Sequence, residues 1–282
     1  MTPPQNVSEA VYRRAVAKRI GYCRKLAAAS QGMSPIIRLV VLSCKRTGAF
    51  ARLMESLDGF REQEQLSVST LLVDNGSGRR LLEIAQDSKF FDNKILHDRN
   101  IGMGAAINDA LIQYPAEFVL FVEDDLILEK PNFLLPCVQI FREFQEVGIV
   151  KLKRKADWDT MYPYRRIGPM QTTSTGVRFH PWLPSTRWSF RWGQRPWYPA
   201  GIHNCWSLGP VMFRWCSWKE NGPIPSGRGR GQALAAEEVY ARTWNTKWIA
   251  AKPVDFAPFS QPVTAESPGF RDCIRLHDTS AA

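Results

Sequence analysis

Three short apolar runs, each stopping at a cluster of polar residues, constrain this chain more than any other feature. IIRLVVLS (36–43) runs into Cys-Lys-Arg, SVSTLLVD (67–74) into Asn-Gly-Ser, and EFVLFV (117–122) into Glu-Asp-Asp. Apolar runs of strand length with little alternation suit strands that are covered on both faces. Helical patterns lie between them, one reaching about Phe60 and another over about 79–86. KILHD (94–98) reads as a short strand, and RNIGMGAAINDALIQY (99–114) as a loop running into a helix. Strand alternating with helix predicts an α/β fold with a mostly parallel sheet and helices on both faces. Its ligands bind where polar groups gather, at the carboxyl ends of the strands.

The flanks read differently. Residues 8–30 predict a helix capped by Ser8, made basic by Arg13, Arg14, Lys18, Arg19, Arg24 and Lys25. The expectation is that it packs on the main domain with its basic face in water; peripheral contact with anionic lipid is the alternative. Beyond VGIVKLK (147–153) the strand–helix rhythm stops, and residues 156–200 are an irregular segment rich in Trp, Arg, Pro, Ser and Thr. A helical pattern returns over 233–245, KWIAA (247–251) reads as a short strand, and the last thirty residues as a proline-broken tail. A hydrophobic content of 44% argues against disorder throughout. No apolar run approaches the roughly 20 residues that span a bilayer, and residues 8–30 lack the apolar core of a secretory signal. A cytoplasmic protein without a transmembrane segment is expected.

Charge is uneven. The chain carries 37 Lys plus Arg against 27 Asp plus Glu, a formal +10. Residues 151–231 hold 14 basic and 3 acidic residues, a local +11, which leaves −1 for the rest. All ten Trp lie between positions 158 and 248. This segment is therefore expected to meet an anionic acceptor, whether phosphorylated glycan, lipid-linked carrier or nucleic acid. The bland alternative is that Trp packs the segment while Arg solvates it. Six Cys (23, 44, 137, 205, 216, 273) without a C-x-x-C pair read as free thiols, and four scattered His (97, 180, 203, 277) carry no zinc spacing.

Glu123-Asp124-Asp125 is the sharpest chemical feature. Three successive carboxylates repel one another, and a divalent cation relieves that repulsion while binding the phosphates of a substrate. Magnesium or manganese suits such a hard oxygen site, since each takes its remaining ligands from phosphate and water. A solvated acidic loop, or a cap for the following helix, is the alternative. Asp74-Asn75 closes the second strand at the same edge, where a carboxylate accepts hydrogen bonds from a base or ribose; an Asx turn is the alternative. Gly102 and Gly104 lie where backbone could approach a ligand closely, yet neither a Walker loop nor a dinucleotide fingerprint is present.

Together, IIRLVVLSCKR, LLVDNGS, RNIGMGAAINDAL and FVEDD resemble, in order, the motifs of the GT-A fold glycosyltransferases of the large family-2-like group. RNIGMGAAINDAL follows that group's Asn-x-Gly-x-x-x-x-x-Asn pattern, and FVEDD stands in place of its Asp-x-Asp. The resemblance implies a GT-A type, Rossmann-like domain over 35–252. Its nucleotide-sugar-binding half would be 35–150 and its acceptor and catalytic half 151–252, between a basic helical extension (1–34) and a tail (253–282). It implies a metal-dependent, inverting transfer of a sugar from a nucleotide diphosphate to an acceptor hydroxyl. On it, Asp125 ligates Mn2+ or Mg2+, Glu123 contacts the ribose or a metal-bound water, and Asp124 supports them. Asp74 would hold the base, with Asn75, Ser43 and Arg46 lining the same pocket, while Asn100, Gly102 and Asn108 order the loop by the ribose and pyrophosphate. In GQALAAEEVYARTW, Glu238 takes the place of the catalytic base, with Glu237 one residue off; the pair also reads as ordinary first-turn acids of a helix. Arg228 and Arg230 would close over the diphosphate, and His277 would be a further metal ligand. Trp158, Trp188, Trp192, His203, Asn204 and Trp206 would face the acceptor. Competing readings are sugar transfer to modified bases of DNA or RNA, a catalytically idle nucleic-acid-binding protein, and a nucleotidyltransferase. The last would need a glycine loop after the first strand, where LSCKRTGAF has one glycine.

Overall fold

The computed structural model describes residues 8–152, 166–183, 190–192, 195–197, 206, 209–226, 239–241, 243–244 and 246–261. The expected elements of the first half form where the apolar pattern places them. They are β1 (Ile37–Ser43), α2 (Thr47–Ser56), α3 (Phe60–Gln63), β2 (Val68–Asn75), α4 (Arg79–Asp87), β3 (Asn93–His97), α5 (Met103–Gln113) and β4 (Phe118–Glu123). After them come β5 (Ile127–Leu128), α6 (Leu134–Glu143) and β6 (Val147–Lys151). Every residue of β1 is buried, so alternate side chains supply the two opposite faces of the sheet. Ile37, Leu39 and Val41 join Phe50, Leu53, Leu134 and Phe141 in one core. Val40 and Leu42 join Ala106, Ile107, Ala110 and Leu111 of α5 in the other. Each such side chain contributes about 1.5–3 kcal/mol when fully buried, which fixes both strand identity and register.

The sheet is mixed rather than mostly parallel. Its described strands run β3-β2-β1-β4-β12-β6-β13-β9-β7, with β8 also on β9. The added strands are β7 (Arg166–Ile167), β8 (Gln171–Thr172), β9 (Arg178–Leu183), β12 (Val211–Arg214) and β13 (Ile249–Pro253). The first four strands are parallel, whereas β12 lies antiparallel between β4 and β6. The apolar pattern could not report this, because a strand buried on both faces reads the same in either direction. The segment expected to be irregular also holds strands, including the hairpin of β10 (Phe190–Trp192) and β11 (Arg195–Trp197). They are two to six residues long and mix Arg with Trp and Pro, so no clear period emerges. The tail likewise contributes β14 (Phe259–Ser260), antiparallel to β5.

Helix α1 (Glu9–Ser30) begins as expected, with Ser8 Oγ accepting from Val11 N. It packs on the domain: Tyr12 meets Leu183 and Ile249, and Cys23 Sγ lies 3.5 Å from Lys247 O. Arg13, Arg14, Lys18, Arg24 and Lys25 face outward. Helix α7 (Trp215–Asn221) touches α1 where the Tyr22 hydroxyl donates to Glu220. Among the described residues no helix is long and apolar enough to cross a membrane. Cys23, Cys44, Cys137 and Cys216 are free thiols.

Candidate donor-binding site

Parallel register brings the polar strand ends together. Ser43 pairs with Asp74, Leu42 with Glu123 and Asn75 with His97, so β3, β2, β1 and β4 end at one edge. Two loops close over that edge in direct contact. Gly76 has φ +79°, and a Cβ there would lie 2.6 Å from Asn100 N, so only glycine admits this approach. Across the same seam Asn75 Nδ2 donates to Asn100 Oδ1 at 3.0 Å, and Asn75 Oδ1 accepts from Ile101 N at 2.9 Å. Asn100 Oδ1 also takes the Gly102 N–H at 2.8 Å, which orders the turn into α5. Asp74 is 1% exposed and accepts from Ser77 N at 3.2 Å, three residues on and so one beyond the bond of an Asx turn, the alternative for it. Cys44, which the sequence reading passed over, joins this cluster: its Sγ donates to Asn75 O at 3.3 Å.

The acidic cluster is built around an arginine. Asp124 has no exposure; one oxygen accepts from Ser43 Oγ at 2.7 Å and Cys44 N at 3.1 Å, and the other pairs with Arg46. Arg46 Nη1 also lies 2.6 Å from Asp125 Oδ2, which accepts in addition from Gln261 Nε2 at 2.8 Å. Burial pushes the Asp124 carboxyl up to about 6, although Arg46, Ser43 and the Cys44 N–H all pull it down. The acidic residues around it raise the Arg46 guanidinium despite its own burial. Arg46 was expected to line the nucleotide pocket; the structure shows it as the counter-charge of Asp124 and Asp125. Gln261 comes from the tail, and no local pattern marks it.

A divalent cation fits this donor set. Asp125 is 7% exposed, and its Oδ1 is buried with no hydrogen-bond partner among the described residues. Glu123, the last residue of β4 and two positions before Asp125, is half-buried. The described residues hold no cage of three or more acidic, His or Cys groups. A substrate-shared magnesium or manganese does not need one, because phosphate and water complete its shell.

Two expected site residues serve elsewhere. Asn108 lies one turn into α5, and its amide is spent on Ile224: Nδ2 donates to Ile224 O at 2.7 Å and Oδ1 accepts from Ile224 N at 2.9 Å. It orders a neighbouring segment, not the strand edge. Trp206 is fully buried against Phe213, Tyr240 and Trp244, a core residue and not an acceptor platform. Trp192 lies on β10 with its backbone opposite Arg195. Trp158, Trp188, His203, Asn204, Arg228, Arg230, Glu237, Glu238 and His277 lie outside the described residues.

Known proteins resemble this chain at the level of sequence and of fold. The model of glycosyl transferase family 2 matches residues 39–211, more than half of the chain. EpsH of Bacillus subtilis (strain 168), named as a candidate glycosyltransferase, is 30% identical over 88 residues, covering 30% of this chain and 24% of that protein. Residues 1–349 of S. aureus TarS, solved with UDP, superpose with a TM-score of 0.52 at 16% identity, over 81% of this chain and 60% of that one. Mannosyltransferase PcManGT from Pyrobaculum calidifontis, solved with GDP-Man and Mn2+, gives 0.53 at 13% identity, over 92% and 68%. The chain thus spans about a quarter of EpsH and three fifths of that TarS piece. With its motifs gathered at one sheet edge and the family model matched across them, the chain belongs to glycosyl transferase family 2.

Proposed function

We propose that this protein transfers a sugar from a nucleoside diphosphate sugar to an acceptor hydroxyl, with inversion, at the carboxyl edge of β1, β2 and β4 in a Rossmann-like GT-A arrangement. The observation that carries the reading is the convergence of Asp74, Asn75, Asn100, Asp124 and Asp125 on that edge, from three separate stretches of sequence. Asp74 offers carboxylate acceptors for the nucleoside, Asn75 holds the Asn100 loop against it, and Asn100 with Gly102 would bring backbone beside the ribose. Arg46, part-exposed above the acidic pair, is free to share its guanidinium with a diphosphate. Mn2+ or Mg2+ would be held by Asp125 Oδ1 and Glu123; when bound, it offsets the charge that develops on the leaving diphosphate. Glu238, with Glu237 as the alternative, is the proposed base for the acceptor hydroxyl, on the family resemblance. The UDP of the TarS structure and the GDP-Man and Mn2+ of PcManGT support a donor of this chemical class. An anionic acceptor remains the reading for the basic second half.

A thermal-shift series with UDP, GDP, ADP and CMP, each with and without Mn2+, tests this. One diphosphate should raise the melting temperature more with Mn2+ than without. Asp125→Asn should remove the Mn2+-dependent part. Glu238→Gln should keep the full shift while losing sugar transfer. No stabilisation by any diphosphate would refute the reading.

A further inference from the structure

The acidic edge contains its own cation. Arg46 spans the two aspartates, Nη2 on Asp124 and Nη1 on Asp125 Oδ2, and Glu123 adds to the negative field around it. Gln261 takes the same Asp125 oxygen from the other side. The carboxylate is thereby split: Oδ2 is doubly engaged, while Oδ1 is buried and has no hydrogen-bond partner among the described residues. A metal ion arriving at Oδ1 shares a carboxylate with a guanidinium, and like charges that close repel strongly in a partly desolvated site.

We propose that Arg46 is a built-in counter-cation that competes with a divalent ion for Asp125, so that metal binds weakly to the free protein and tightly only with a nucleoside diphosphate. This rests on the metal reading of the preceding section. Without nucleotide, one guanidinium bridges the two buried carboxylates and holds them in place, a role a metal would otherwise fill. A diphosphate is an acceptor that the guanidinium can engage bidentately. Once Arg46 turns part of its charge to that anion, its hold on Asp125 relaxes and the carboxylate becomes a better metal ligand. Binding of metal and diphosphate is then mutually reinforcing, as linkage requires. Free metal would not sit idle on the enzyme, and the acidic pair would not be left bare. Arg46 acts here through Asp125 and is a positioning residue.

Mn2+ binding to the full chain, followed through the paramagnetic resonance signal of free Mn2+, tests the idea. Measurements cover wild type, Arg46→Gln and Arg46→Lys, each alone and with saturating UDP or GDP. Arg46→Gln should bind Mn2+ at least tenfold more tightly than wild type without nucleotide, and Arg46→Lys should stay near wild type. Wild type should gain at least tenfold in Mn2+ affinity from the nucleotide, and Arg46→Gln much less. Equal or weaker Mn2+ affinity in folded Arg46→Gln, with wild type binding Mn2+ beside nucleotide, would overturn the competition. So would a wild type that binds Mn2+ equally well with and without nucleotide, a result that needs no variant. Absence of Mn2+ binding in every protein, nucleotide included, would instead overturn the metal reading and this inference with it.

Discussion

Asp124 shows how much a single residue at this edge depends on its surroundings. Burial holds its carboxyl near 6, against 3.8 for an ordinary aspartate, so between those values the folded chain keeps a proton that the unfolded chain has lost. Its contribution to stability is therefore fully present below about pH 3.8 and is lost as pH rises through 6. Asp124→Asn cannot titrate and should lack this slope. Denaturation in urea at pH 4.5 and 6.5 should show the variant gaining about 2 kcal/mol on wild type between the two. A constant offset would show that Asp124 is not held protonated in that window. Adjacency marked the three carboxylates as a candidate and left a solvated acidic loop equally open; the burial of Asp124 and Asp125 rules against that loop. Their partners were not legible in the sequence: Arg46 and Gln261 reach them from 79 and 136 residues away, and no local pattern encodes so distant a contact.

At the scale of elements, α5 joins the Asn100 loop to the second half of the chain. Gly104 N donates to Ser226 O at 3.2 Å, and a Cβ on Gly104 would lie 1.9 Å from Pro225 O. One turn later Asn108 pairs with both backbone groups of Ile224 and accepts from Trp218 Nε1 at 3.1 Å. The family pattern around Asn100 and Asn108 thus combines two jobs, ordering a loop at one end and clasping Ile224–Ser226 at the other. Gly104→Ala must displace backbone, not a flexible side chain, and should cost about 1–3 kcal/mol in chemical denaturation. A loss under half of the lower bound would mean that the clasp gives way easily. Helix and strand positions in this half followed from apolar period, because each core face needs its own stripe. The direction of β12 did not, since pairing partners rather than period decide it.

Across the whole molecule, charge and tail change meaning. The +11 segment suggested an anionic partner, yet several of its cations serve the fold. Arg214 is 2% exposed, donates to Val147 O at 2.8 Å and stacks over Phe141, and burial lowers its pKa to about 10. Lys151 is buried near the Trp182 ring, and Arg178 pairs with Asp255. Among the described residues Trp182, Trp206, Trp218, Trp244 and Trp248 are likewise buried in the core. The tail docks through Phe259, which is fully buried edge-to-face on Phe133 and delivers Gln261 to Asp125. Phe259→Ala should cost about 3–5 kcal/mol in urea denaturation, and a loss below about 1 kcal/mol would place that segment off the core. By itself the sequence determined the strand and helix positions of the first half, the α/β class and the family motifs, because local period and adjacent polar residues encode them. Only the tertiary structure decided strand direction beyond β4, the burial of Lys151, Trp182 and Arg214 and the partners of the acidic edge. Those depend on contacts between residues far apart in the chain, where burial and pairing outweigh any local preference.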